Sequence, residues 1–154
     1  MSFEVWFSFT SRNILRLARN PVKAYEFIKD IVIKAEELGF NSIWFFDHLI
    51  PYPIASRDIV FEASTLLSNI ATLTKRIKIG VLVFCNLFRY PTVLAKIAST
   101  IDNISGGRLI FDIGLCWYQK EFKQYGIPFP HYDERLKALE ESLEIIIKSW
   151  IQDY

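Results

Sequence analysis

The chain has 154 residues, 18 basic against 17 acidic side chains, and a formal net charge of +1. A charge so near zero argues against nucleic acid or an acidic surface as partner. With 51 % hydrophobic and 23 % charged residues, it reads as one globular domain over residues 1–154 that can bury a sizeable core. No window has the uncharged apolar length of a membrane span, and the amino terminus (MSFEVWFSFTSR) lacks a secretory apolar run, so a cytoplasmic protein is expected.

In chain order, residues 3–9 (FEVWFSF) predict a short strand. A helix follows, with Asn20 as cap, Pro21 in the first turn and Gly39 as its end. Ala24, Phe27, Ile28, Ile31, Val32, Ala35 and Leu38 recur along it at helical spacing. Residues 42–46 (SIWFF) predict a buried strand that stops at Asp47 and His48. Residues 58–75 predict a helix with Ala63, Leu66, Leu67 and Ile70 inward. Residues 77–84 (IKIGVLVF) form a near-continuous apolar strand, as expected where both faces of a parallel sheet are covered.

Pro91 opens a third helix, closed by Gly106 and Gly107, and residues 108–114 (RLIFDIG) predict a fourth strand. A long loop runs through LCWYQKEFKQYGIPFP. The last helix, about 133–150, is expected to turn Leu136, Leu139, Leu143, Ile146, Ile147 and Trp150 inward. Four strand–helix repeats imply an α/β fold with a parallel sheet. Two architectures fit: an open doubly wound sheet, or a (βα)4 half of a (βα)8 barrel.

In both, ligands gather where strands end and helices begin. Here those segments are SFTSR, DHLIPYP, CNLFRYP and LCWYQKEF, whereas the opposite turns GFNS, KRIK and SGGR are short and bland. His48 reads either as a general base or proton donor, its intrinsic pKa lying near neutrality, or as a strand cap. Asp47 either orients His48 or caps the next segment. Trp117, Tyr118 and Phe122 either stack on a planar ligand or cover the core, and Glu121 reads as solvated. Cys85 and Cys116 are too few and too far apart for a disulfide framework or a structural zinc site, and read as small core residues or reactive thiols. Nucleotide loops of the GxGxxG and Gly-Lys-Ser/Thr kinds and HExxH metal spacing are missing.

Three phrases occur in order along the chain: AEELGFNSIWFFDHL; IKIGVLVFCNLFRYPTVLAKIASTIDNISGGRLIFDIGLCW; and EFKQYGIPF followed by ERLKALEESLEIIIKSW. Together they resemble the luciferase-like monooxygenase family of flavin- or deazaflavin-dependent (βα)8 enzymes. The block from Pro91 to Arg108 is the most specific part. The resemblance implies an oxidoreductase or monooxygenase activity on a small molecule, with FMN or 8-hydroxy-5-deazaflavin (coenzyme F420) as cofactor. It also implies that Asp47 and His48 match the catalytic Asp-His pair beside the ring, with His48 exchanging a proton.

By the same resemblance, Leu82, Val83, Phe84, Gly114, Cys116 and Trp117 line the ring site, and a non-prolyl cis peptide falls at Leu82–Val83. Asp112, Cys116 and Tyr90 depart from the family pattern, the first two by narrowing the floor for a ring. The chain stops about where the family's fourth helix ends, while a complete barrel needs about 250 residues. A homodimer or a separate second-half chain is therefore expected to complete it. The alternative is a catalytically inactive remnant or scaffold that forms a half-barrel dimer.

Overall fold

A computed structural model describes residues 20–52 and 59–151. The first predicted strand, residues 3–9, lies outside the described residues. Helix α1 (Pro21–Glu37) begins as its sequence requires: Asn20 Oδ1 accepts from the N–H groups of Val22 (3.0 Å) and Lys23 (3.4 Å). Its apolar stripe buries Ala24, Ile28, Val32 and Ala35. Strand β1 (Ser42–Phe45) follows, then α2 (Ala63–Leu73), β2 (Lys78–Val81), β3 (Phe84–Cys85), α3 (Pro91–Ser105), β4 (Leu109–Ile110), β5 (Ile113–Gly114), α4 (Gln119–Tyr125) and α5 (Tyr132–Ile151).

All pairings are parallel: β1–β2–β4 form one sheet, and β3–β5 a second, smaller one. Val32, Ile43, Leu67, Ile70, Ile79, Val81, Phe84, Leu94 and Ile101 fill the space between sheet and helices with almost no exposure. The protein is thus an α/β fold with parallel strands. Among the described residues, no helix is long and apolar enough to cross a membrane.

Several boundaries differ from the expected ones. Helix α2 starts at Ala63 rather than 58, because the Glu62 carboxylate caps it by accepting from Ser64 N–H (3.1 Å) and Thr65 N–H (2.7 Å). The two long apolar strands are each interrupted. The third strand breaks at Leu82–Val83, whose peptide bond is cis, where the resemblance had put it. The fourth breaks at Phe111–Asp112, and both resume side by side as β3 and β5. The long loop contains α4. Helix α5 buries Ile146 and Ser142, but Leu136, Leu143, Ile147 and Trp150 are 38–50 % exposed, contrary to the inward stripe expected of them.

Gly80 is dictated by its neighbour. It faces Trp44 across β1–β2, and a Cβ there would stand 2.6 Å from the indole ring. Indole Nε1–H is itself held by Ser42 Oγ (3.0 Å), so the ring has little room to yield.

The turns at the amino ends of the strands carry much of the polar fastening. Glu36 accepts backbone N–H bonds from Lys75 (2.9 Å), Arg76 (2.7 Å) and Ile77 (2.9 Å), fixing the entry to β2. Arg108 donates to the carbonyls of Ala71 (2.8 Å), Thr74 (3.0 Å), Ile77 (2.8 Å) and Ser105 (2.7 Å), and to Thr74 Oγ1 (2.8 Å). One guanidinium thereby satisfies the open carbonyl ends of α2 and α3 together. Replacing it strands several half-buried acceptors. Arg108→Ala is expected to lower stability in urea unfolding by about 2–4 kcal/mol, and a loss under about 0.5 kcal/mol, ordinary for a surface site, would contradict this role.

Candidate functional site

The segment after β1 enters an ion network at once. Asp47 is 6 % exposed, and its carboxylate takes a two-point bond from Arg89: Nη1 to Oδ2 at 2.7 Å and Nη2 to Oδ1 at 2.9 Å. Oδ2 also accepts from the N–H of Cys85 at 2.9 Å. Arg89 donates in addition to Glu62, the cap of α2, and stands over the Phe84 ring at 5.5 Å. A buried ion pair is tolerable only when its remaining hydrogen-bonding capacity is met. Here the pair joins the ends of β1 and β3 to the start of α2. Burial works against the Arg89 charge, but Asp47 and Glu62 outweigh it and raise its pKa above the ordinary value.

Glu62 shows the same balance. Burial favours its neutral form, yet hydrogen bonds from Thr65 and Ser64, and then Arg89, bring its pKa down to about 2. The asymmetry fixes a sign. A carboxyl titrating near 4.5 when unfolded and near 2 when folded adds stability above the higher value, and that contribution disappears as pH falls toward the lower. Glu62→Gln is therefore expected to flatten the loss of stability between these two pH values in acid-unfolding curves. Parallel curves for variant and parent would contradict the network.

His48 is held from the other side. Its Nδ1 lies at hydrogen-bond distance from Glu121 Oε1, 2.7 Å, and Glu121 Oε2 accepts from the Leu49 N–H at 2.5 Å. A carboxylate that accepts at both oxygens requires the proton on Nδ1, which leaves Nε2 as the nitrogen that can exchange a proton with a ligand. Glu121 is 1 % exposed, so its reading as a solvated loop acid is corrected. It lies in the first turn of α4 beside buried Phe122, and Tyr125 of the same helix donates to the Leu49 carbonyl at 3.0 Å. The signal was that Glu121 directly precedes Phe122 and lies one turn from Tyr118, a spacing that carries the acid inward beside a core aromatic. The orienting role beside His48 expected of Asp47 is filled by Glu121, since Asp47 is engaged by Arg89 and the Cys85 amide.

Around the imidazole, Tyr52 stacks at 5.0 Å, and Trp117 and Tyr118 present edges at 6.1 and 6.0 Å. These rings wall a cavity of about 620 Å³. Of the residues expected in a ring site, Leu82, Val83, Cys116 and Trp117 line it, together with Asp47 and His48. Phe84 does not: it is wholly buried and stacks on Phe111 at 5.7 Å, because β3 turns it toward the core. Gly114 lies beneath the floor, where a Cβ would stand 2.4 Å from Val83 Cγ2. Arg135 donates to the Cys116 carbonyl at 2.5 Å and stands over Phe129 at 4.1 Å, closing the far wall.

Cys85 and Cys116 overturn the expectation of two separate cysteines: they form a disulfide across the floor, with Cα atoms 5.1 Å apart. Their separation of 31 residues hid this. Parallel pairing of β3 with β5 sets Cys85 opposite Gly114, two residues before Cys116, so the fold makes neighbours of residues far apart in the chain. Among the described residues, no cluster of three or more His, Cys, Asp or Glu side chains is arranged to hold a metal ion.

The family model for luciferase-like monooxygenases matches residues 1–154. The chain belongs to the luciferase-like monooxygenase family. An F420-dependent glucose-6-phosphate dehydrogenase of Amycolatopsis mediterranei is 32 % identical over 125 residues, covering 80 % of this chain and 37 % of that protein. The pyrimidine monooxygenase RutA of Rhizobium rhizogenes is 33 % identical over 132 residues, covering 82 % and 36 %. Among solved structures, the oxygenating constituent of 3,6-diketocamphane monooxygenase from Pseudomonas putida, in complex with FMN, superposes with a TM-score of 0.79 at 22 % identity, covering 99 % of this chain and 40 % of that one. An F420-dependent secondary alcohol dehydrogenase with an F420–acetone adduct gives 0.78 at 23 %, covering 99 % and 43 %. The chain thus spans little more than a third of these curated relatives, and matches about two fifths of barrels of this family, as half a barrel would.

Proposed function

We propose that this chain supplies the ring-facing half of a flavin- or deazaflavin-dependent oxidoreductase, with His48 as the proton donor and acceptor at the ring. The observation that carries the reading is the Glu121–His48 pair opening into an aromatic-walled cavity at the carboxyl ends of the strands. Its lining suits a flat tricyclic ring: Leu82 and Val83 give an apolar floor, Tyr52, Trp117 and Tyr118 give walls, and His48 gives a polar contact at the edge. The kinds of cofactor named for the relatives, FMN and F420, both have such a ring.

Such a group, when bound, supplies hydride or oxygen chemistry. The protein's part is positional and electrostatic. Glu121 fixes the His48 tautomer and stabilises the imidazolium that forms when Nε2 takes a proton. Asp47 and Arg89 hold the backbone that carries His48, and the aromatic wall keeps water from the reacting face. Arg135 is a cationic side chain on the cavity wall, and a phosphate-bearing tail calls for further contacts than it offers alone.

Completion by a second unit follows from the same reading. Among the described residues β4 and β5 pair on one side only, and Leu136, Leu143, Ile147 and Trp150 of α5 remain exposed. A homodimer is the simplest way to cover both, with a separate second-half chain as the other. The scaffold reading draws its support from those same exposed side chains, which serve an assembly whether or not a ring is bound.

A fluorescence titration with FMN and with the deazaflavin coenzyme, run beside light scattering, tests the proposal. Saturable binding on the order of micromolar by a dimer, weakened about tenfold in His48→Ala and in Glu121→Gln, is expected. The amide of the second variant cannot accept from both groups: with its oxygen kept on the Leu49 N–H, its NH2 faces His48 Nδ1 and drives the ring proton to Nε2. A well-folded protein that binds neither ring would leave the scaffold reading standing.

A further inference from the structure

We infer that the Cys85–Cys116 disulfide is a reversible redox pair whose reduction by a dithiol unlocks residues 115–118 and reshapes the wall around His48. Both cysteines line the cavity, so a reductant that enters it meets the bond directly. The two sulfurs are chemically unequal. The N–H of Leu87 points at Cys116 Sγ from 3.4 Å, and a hydrogen bond to sulfur favours its thiolate. Cys85 has no such donor among the described residues, and its own N–H is taken by the Asp47 carboxylate.

The exchange is therefore directional. A thiolate of the dithiol attacks Cys85 Sγ, the S–S bond breaks, and Cys116 leaves as the thiolate received by Leu87 N–H. The second thiol of the reductant then attacks the mixed disulfide, and Cys85 leaves in turn. The dithiol ends as a disulfide, having lost two electrons, and the protein holds two cysteines in thiol or thiolate form, its charge balanced by the reductant's protons.

The consequence lies in the backbone. Cys116 has φ +60°, a conformation that a non-glycine residue keeps only under constraint. Three ties hold it: the disulfide, the Arg135 bond to its carbonyl and the weaker Leu87 N–H bond to its sulfur. Once the first is cut, the thiols must separate to ordinary sulfur contact and the turn is free to leave the left-handed region. The next residues are Trp117 and Tyr118, whose ring edges face His48. The oxidised form is then the preorganised one. Only the effect on ring binding rests on the function proposed above; the thiol chemistry and the response of His48 do not.

The experiment uses the full chain purified without reductant. Thiols are counted with an aromatic disulfide reagent in the native state, before and after dithiothreitol, while the His48 ring is followed by NMR; FMN is then titrated into both forms. No reactive thiol before, two after, recovery of the disulfide on adding oxidised dithiothreitol, and shifted His48 signals in the reduced form are expected. FMN should bind about tenfold more weakly after reduction, as expected when preorganisation is lost. Cys116→Ser should give His48 signals like those of the reduced parent and no response to dithiol.

Thiols that emerge only in denaturant, or that stay reduced in oxidised dithiothreitol, would overturn the inference. So would two native thiols with unmoved His48 signals. If thiols and His48 respond but FMN binds to neither form, the redox pair stands and the ring-site reading fails.

Discussion

A single buried carboxylate organises the ligand-facing end of the fold. Glu121 reaches across 73 residues of sequence to His48, and its other oxygen takes the N–H of the next residue, Leu49. Removing a carboxylate from water costs several kcal/mol unless its acceptor capacity is filled, and these bonds from one short segment fill it. Glu121 therefore does two jobs at once. It sets the direction of the chain leaving β1, and it sets which imidazole nitrogen carries the proton. Phe122, its neighbour, anchors the same helix in the core between Phe88 and Phe129, at 5.0 and 4.8 Å. A charge next to a core aromatic is stable here because the helix offers adjacent positions on one buried face.

Asp47 complements this arrangement rather than sharing it. The two adjacent residues that end the β1 segment are captured by different partners, Asp47 by Arg89 and His48 by Glu121. One capture fixes backbone, the other fixes a titrating ring. Stability and chemistry are also divided along the strands. At the amino ends, Glu36 and Arg108 are engaged by backbone groups and the Thr74 hydroxyl, while the carboxyl ends carry the aromatic cavity. Substitutions at one end are thus expected to leave the other largely intact.

Much of the fold was legible because local chemistry and global packing agree. Asn20 and Pro21 start α1, Gly106 ends α3 in a left-handed conformation, and apolar runs mark β1 and β2. The carboxyl-edge location of Asp47 and His48 followed from strand order alone. What escaped the sequence was relational. Nothing near Arg89 announces that it will find Asp47, and nothing near Cys85 announces Cys116, because both pairings arise from strands aligned in parallel. The α5 stripe erred for a related reason. Periodicity says that Leu136, Leu143, Ile147 and Trp150 share a face, but not what covers it. The interruption at Leu82–Val83 was expected from the family resemblance alone, since the apolar run itself reads as continuous strand, and the break at Phe111–Asp112 was not anticipated.

The tautomer of His48 is the most direct test of the role of Glu121. Long-range 1H–15N NMR of the neutral imidazole, recorded on the ligand-free protein, distinguishes a protonated Nδ1 from a protonated Nε2. The Nδ1–H form is expected, lost in Glu121→Gln with the fold otherwise kept. A neutral ring protonated at Nε2, or an unchanged tautomer in the variant, would contradict the claim that Glu121 sets up His48 for proton exchange.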